Sequence, residues 1–174
     1  VMNVPLYVSN NLLFDQHLKN VVNTKYQTRY DVVESYRGFN SFHEYRKLYK
    51  DEISNIRFYM ENETLLNNWE IIPLNEMVLN SKWYKLANSG KGLVSWVYME
   101  DETNKQQKYL CLVRKIDFFD LDSSGVLVIN VNINTFNLIL SQESQPIMIV
   151  DDLDNIISTN QPEYSGKKLT DIIN

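Results

Sequence analysis

Apolar residues recur at helical spacing along the first part of the chain: Leu12, Leu13, Leu18, Val21, Val22, Tyr26, Tyr30 and Val33, with few breakers between Tyr7 and Tyr36. This pattern predicts one long amphipathic helix. Pro5 falls in its first turn or just before it, where a missing N–H costs little. Gly38 and Asn40 end the run, and a second helix is predicted from Ser41 to about Asp51, with Phe42, Tyr45 and Leu48 on one face. From Ile53 the period drops to two. Ile56, Phe58 and Met60 point one way along a strand ending at Met60, and Arg57 and Tyr59 point the other. Asn62-Glu-Thr then turns the chain into a second strand around Leu65 to Ile72, which Pro73 closes.

The stretch from Ser81 to Val131 reads as a short helix and three strands. Ser81 is placed to cap the helix, Trp83, Tyr84, Leu86 and Ala87 supply its apolar positions, and Gly90 stands where a helix stop belongs. The strands Gly92–Met99, Lys108–Asp117 and Gly125–Val131 are rich in β-branched and aromatic residues. The loops between them, Glu100 to Gln107 and Phe118 to Ser124, suit antiparallel neighbours, because a parallel return needs a longer crossover. A helix follows from Asn134 or Thr135, with Phe136, Leu138, Ile139 and Leu140 expected on its buried side. After a polar connector, Ile147 to Thr159 reads as strand, acidic turn, strand: a second hairpin of the kind expected at Ile56 to Leu66.

Composition narrows the function. At 174 residues, 44% hydrophobic and 22% charged, the chain is long enough for one domain with a real core, or one and a fraction. A net charge of -5 argues against a nucleic-acid or anionic-membrane surface, since both need basic patches. Cys111 is the one cysteine and falls mid-strand, where a buried, inert thiol fits. No signal peptide and no apolar run long enough to span a bilayer is present. The opening at Val1, in register with a helix, and the stop at Ile172-Ile-Asn lead us to expect a piece of a longer protein.

Motifs for catalysis are missing. There is no Gly-x-Ser-x-Gly elbow, no phosphate loop and no Gly-x-Gly-x-x-Gly, and no cofactor is implied. His17 and His43 fall on different predicted helices without a Cys partner, so no zinc site is expected. Asp120-Leu-Asp122-Ser-Ser-Gly matches the first half of a calcium loop, but the closing carboxylate position falls on Val131, and a turn needs the same residues. Binding remains. Trp83, Tyr84, Trp96 and Tyr98 offer aromatic faces that one pocket can share, or they fill the core between helix and sheet; the sequence leaves both readings open. Arg114 and Asp117 close a strand with opposite charges. Arg114 either orients a ligand or pairs with Asp117 or Asp120.

The ordered set Trp83-Tyr-x-x-Ala87, Gly92-x-x-x-Trp96, Arg114-x-Ile-Asp117 and Gly125-Val-Leu-Val-Ile-Asn-Val, behind a long amphipathic helix, resembles the extracytoplasmic Cache sensor domains of bacteria. The likeness covers nearly the whole chain, and among these it is most similar to the sensor half of YesM-type histidine kinases. The resemblance implies an α+β, PAS-like module: an antiparallel sheet of about five strands packed on a long N-terminal helix. It divides the chain into stalk and second helix (1–52), membrane-distal module (53–143) and the start of a truncated membrane-proximal module (144–174). It further implies a non-enzymatic sensor on the extracellular face of the plasma membrane, anchored by flanking spans and pairing as a homodimer through the first helix. The alternatives are a chemotaxis receptor, another transducer or a ligandless dimerisation module. In the amino-acid-binding members an arginine stands two residues before the Trp-Tyr pair and an aspartate in the last strand; here those positions are Ser81 and Asn130. A free amino acid would lose both charged contacts, each worth roughly 1.5–3 kcal/mol. A neutral, saccharide-like ligand is therefore expected, held by Trp83, Tyr84, Trp96, Tyr98, Arg114, Asp117 and Asn130.

Overall fold

The computed structural model describes residues 2–100 and 108–173, so the loop expected after Glu100 lies outside the described residues, as do the side chains of Lys108, Ile133 and Phe136. The first part of the chain is not one long helix. It forms α1 (Asn3–Leu12), α2 (Gln16–Asn23), α3 (Arg29–Gly38) and α4 (Ser41–Leu48). Each restart has a local cause. The Asp15 carboxylate accepts the Leu18 N–H at 2.9 Å and caps α2. Thr28 and Asp31 form a reciprocal capping box that opens α3. Between them the Tyr26 hydroxyl donates to the Val21 carbonyl at 2.9 Å and accepts from Ser35, folding the connector back on itself. A rod of some thirty residues would be about 45 Å long and overshoot the sheet, whereas short helices wrap round it.

Strands β1 (Ile53–Met60), β2 (Ile71–Pro73), β3 (Val94–Glu100), β4 (Lys108–Phe118) and β5 (Ser123–Val131) form one sheet in the order β2-β1-β5-β4-β3. The three later strands are antiparallel, as expected, and β1 is antiparallel to β5. However, β2 is parallel to β1, so the sheet is mixed, and only Ile71–Pro73 of the expected second strand is extended. The segment 61–70 doubles back instead of turning tightly. The Asn62 amide donates to the Val22 and Thr24 carbonyls at 2.8 and 3.0 Å, pinning the segment to the end of α2. Asn68 Oδ1 then accepts from the N–H groups of Glu70 and Ile71, and the Phe58 N–H reaches the Glu70 carbonyl at 2.7 Å. The chain thus re-enters the sheet beside the strand it has just left.

Both faces of the sheet are covered. One carries Ile56, Phe58, Met60, Leu112, Ile116, Leu127 and Ile129, packed with Val8, Leu12, Leu18, Val22 and Phe42 from α1, α2 and α4. A bulge between Ile53 and Asn55 keeps Ile53 on this face as well. The apolar side of the N-terminal helices is therefore core, with Leu18 and Val22 fully buried. The other face carries Tyr59, Ile72, Val97, Cys111, Val113, Val126 and Val128, under α5 (Glu76–Asn80) and α6 (Lys82–Ser89) through Val78 and Ala87.

After β5 come α7 (Ile133–Leu140), an antiparallel hairpin of β6 (Met148–Val150) and β7 (Ile156–Thr159), and the short α8 (Thr170–Ile173). The hairpin forms where the hydrophobic pattern placed it, though it does not repeat the parallel β1–β2 arrangement. In α7, Leu140 is buried as expected, but Leu138 and Ile139 are exposed. The helix packs toward β7, where Ser158 donates to Asn137 at 2.6 Å, and that orientation turns Leu138 and Ile139 outward. Among the described residues no helix is long and apolar enough to cross a membrane.

Gly125 shows how closely the core strands meet. A Cβ there would run into the Phe58 ring and stand 2.7 Å from the Tyr59 carbonyl oxygen, and a backbone oxygen cannot swing aside. Gly125→Ala is expected to cost about 1–3 kcal/mol, as overpacking does. Chemical denaturation checks this, and an unchanged midpoint would contradict the packing described.

Candidate ligand-binding site

The site begins with a capping residue. Ser81 ends α5 and starts α6: its hydroxyl donates to the Val78 carbonyl at 2.7 Å and accepts the Tyr84 N–H at 3.3 Å. This fixes the first turn of α6 over the sheet and lays the Trp83 ring on Tyr59, with centroids 5.1 Å apart, and edge-on to Tyr84 at 5.9 Å. Beside Trp83 a cleft of about 590 Å³ opens along β3. Its apolar lining is Trp83, Val97, Met99 and Leu153, and its polar lining includes Lys82, Glu100, Asn155 and Lys168. Small-molecule sites commonly have this volume and this mixture.

Two segments far apart in sequence make the walls. One is the α6–β3 corner; the other is the turn of the C-terminal hairpin. They are joined through the acidic turn. β3 is an edge strand, and its outward backbone groups would otherwise lack partners. Asp151 Oδ2 accepts the Tyr98 N–H at 2.6 Å, Asp152 Oδ2 accepts the Trp96 N–H at 2.8 Å, and the Asp152 N–H donates to the Trp96 carbonyl at 3.0 Å. Asp151 is itself buried. Its other oxygen accepts the N–H groups of Leu153 and Asn155 at 3.0 and 2.7 Å, and the Asn155 side-chain amide adds further bonds.

The seven residues expected to bind ligand do not share one pocket. Trp83 and Tyr98 border the cleft, although the Tyr98 ring packs against Leu110, Val131 and Ile157, on the face opposite Val97. Tyr84 adjoins Trp83, and burial raises the pKa of its hydroxyl, with Glu61 adding to the shift. Asn130 is buried on the Trp83 face, where its Oδ1 accepts the Cys111 thiol at 3.3 Å. Trp96 and Arg114 lie on the opposite face, because strand alternation puts them with Leu112, toward α1. Arg114 pairs with neither Asp117 nor Asp120. Its Nε donates to the Gly92 carbonyl at 2.7 Å and its Nη1 to Asn10 and Ser9 at 2.7 and 3.3 Å, and burial lowers its pKa. Asp117 pairs with Lys115 at 3.1 Å, and Asp120 pairs with Lys19.

No protein-family model and no curated protein sequence matches the chain. Sequence reasoning missed Tyr59, on which Trp83 rests, and the hairpin residues Leu153 and Asn155. Arg57, read with Tyr59 as pointing away from Ile56 and Phe58, is indeed buried mid-strand on that face, opposite Val128. Among the described residues no group of three metal-ligating side chains comes together.

Asp151→Ala removes the acceptor on which the edge of β3 and the hairpin turn converge. Amide hydrogen exchange of Tyr98 and Asn155 should accelerate by an order of magnitude or more, while the amides of Phe58 and Val128 stay protected. Uniform loss of protection would show a global unfolding instead, and no change would show that the hairpin is held by other contacts.

Proposed function

We propose that this chain is the extracytoplasmic ligand-binding domain of a membrane-anchored bacterial sensor, a PAS-like Cache module of the YesM histidine-kinase type. It binds a small neutral polar molecule, a saccharide by preference, and performs no chemistry itself. The observation that carries this reading is the Trp83 cleft. An aromatic ring tilted against Tyr59 stands among side chains of both charge signs and an amide. Hydroxyl groups can accept from Lys82 and Lys168 and donate to Glu100 without leaving a charge of their own to be paired. The sheet order β2-β1-β5-β4-β3, with α5 and α6 inserted between β2 and β3, supports the PAS-like assignment.

Two positions speak against an amino-acid ligand. Ser81 spends its hydroxyl on capping, and Asn130 has an amide oxygen already engaged by Cys111. Signalling follows from the two walls. A ligand touching both Trp83 and the Leu153–Asn155 turn ties the hairpin to the sheet, so binding biases the position of the segment that leads out of the domain.

Thermal denaturation against a panel of saccharides and amino acids tests the reading. A binding saccharide at a hundred times its Kd should add about 2.7 kcal/mol of stability. Trp83→Ala should weaken that binding about a hundredfold, whereas Trp96→Ala, on the opposite face, should retain it. Stabilisation by amino acids alone, or loss of binding in Trp96→Ala but not Trp83→Ala, would contradict the proposal.

A further inference from the structure

We propose that the end of the fold built from α4, the turn into β1 and α7 binds the surface of an anionic lipid bilayer. A groove of about 430 Å³ there is lined by His43, Arg46, Lys47, Lys50, Ile53 and Ser54, with no carboxylate in the lining. The four bases follow the i, i+3, i+4, i+7 spacing that places them along one side of a helix and its exit. Arg46 is anchored by Glu70, while Lys47 and Lys50 make no ion pair among the described residues. Glu44, Asp51 and Glu52 flank the groove without lining it. The net charge of -5 speaks against such a surface only on average; the fold gathers the bases locally.

A second, independent feature adjoins the groove. The α7 segment Ile133–Leu140 carries no charged residue, and its Leu138 and Ile139 are 67% and 50% exposed. The helix is tied to the α4–β1 turn: the Thr135 hydroxyl donates to the Asp51 carbonyl at 2.8 Å, and the Asn132 N–H donates to the Glu52 carbonyl at 2.8 Å. Leu48, at the end of α4, is 69% exposed. Bases beside bare aliphatic side chains fit anionic headgroups above acyl chains. A free phosphate would use the bases and leave the aliphatic residues without a role. A second copy meeting this patch about a two-fold axis would set bases against bases. None of these residues lines the Trp83 cleft, so this inference stands or falls separately from the ligand reading.

Co-sedimentation with phosphatidylcholine vesicles, with and without phosphatidylglycerol, tests it. The chain should bind only the phosphatidylglycerol vesicles and be released as salt rises. Lys47→Glu with Lys50→Glu, and separately Leu138→Ser with Ile139→Ser, should each reduce binding about tenfold or more, with folding checked by circular dichroism. Lys85→Glu, exposed on α6 and away from the groove, should bind as the parent does. Equal retention on both vesicle types, retention unaffected by either double variant, or no retention would overturn the proposal. Binding of inorganic pyrophosphate by a chain that ignores vesicles would overturn it too, as would sedimentation showing that the aliphatic pair governs self-association instead.

Discussion

One sheet with two dry faces governs this structure. From Gly125 to Val131 every residue of β5 is buried, so the side chains on both sides of the central strand must be covered. Removing a Val, Leu or Ile side chain from water contributes about 1.5–3 kcal/mol, and most of the core consists of such residues. Two covers result. The N-terminal helices close one face and α5–α6 close the other, and each is shaped by that duty. The breaks at Asp15 and Thr28 let a long apolar run fold back over the sheet. Trp83 and Tyr84 of α6 pack against the face that carries Tyr59, Val97 and Val113.

A sheet so covered still has edges. β2 protects one by its brevity, and β3 is protected by the Asp151-Asp152 turn, which takes two strand N–H groups and one carbonyl. Protection by side-chain carboxylates differs from pairing with another strand: it leaves space beside the strand. The Trp83 cleft occupies that space, between the five-stranded sheet and a hairpin that meets it through these hydrogen bonds and through Ile157 packed with Leu110 and Val131. The proposed ligand site and the proposed route of its signal thus follow from one solution to an edge-strand problem.

The parts of the fold readable in the sequence are those set by local chemistry. β1 was expected from Ile53 to Met60 and spans Ile53–Met60, because Ile56, Phe58 and Met60 alternate with Arg57 and Tyr59 beyond the bulge; Ser81 and Gly90 bound α6 as caps do. The long helix was misread because helical spacing continues across both breaks, and the decisive signals were single residues, Asp15 and Thr28, within an otherwise good pattern. The parallel β2 was not legible, since it rests on Asn62 reaching the end of α2. The site was half legible. Trp83 was found as an aromatic on an amphipathic helix, but Trp96 and Arg114 were grouped with it for their aromatic face and strand-end charge, although alternation assigns them to the other face. Leu153 and Asn155 carried no local mark at all, because only tertiary contact brings the hairpin to β3.

The account's central claim is that ligand meets Trp83 and not the other indoles. The chain has three tryptophans, Trp69, Trp83 and Trp96, and they occupy separate surroundings. Trp69 is exposed in the segment before β2, Trp83 borders the cleft, and Trp96 lies toward α1 and the hairpin core. Nitrogen-15 correlation spectra of the indole N–H groups, titrated with a saccharide that stabilises the domain, read all three at once. The account predicts that the Trp83 signal shifts most, with Trp69 unmoved and Trp96 changing little. A titration that moves Trp96 or Trp69 and leaves Trp83 in place would contradict it.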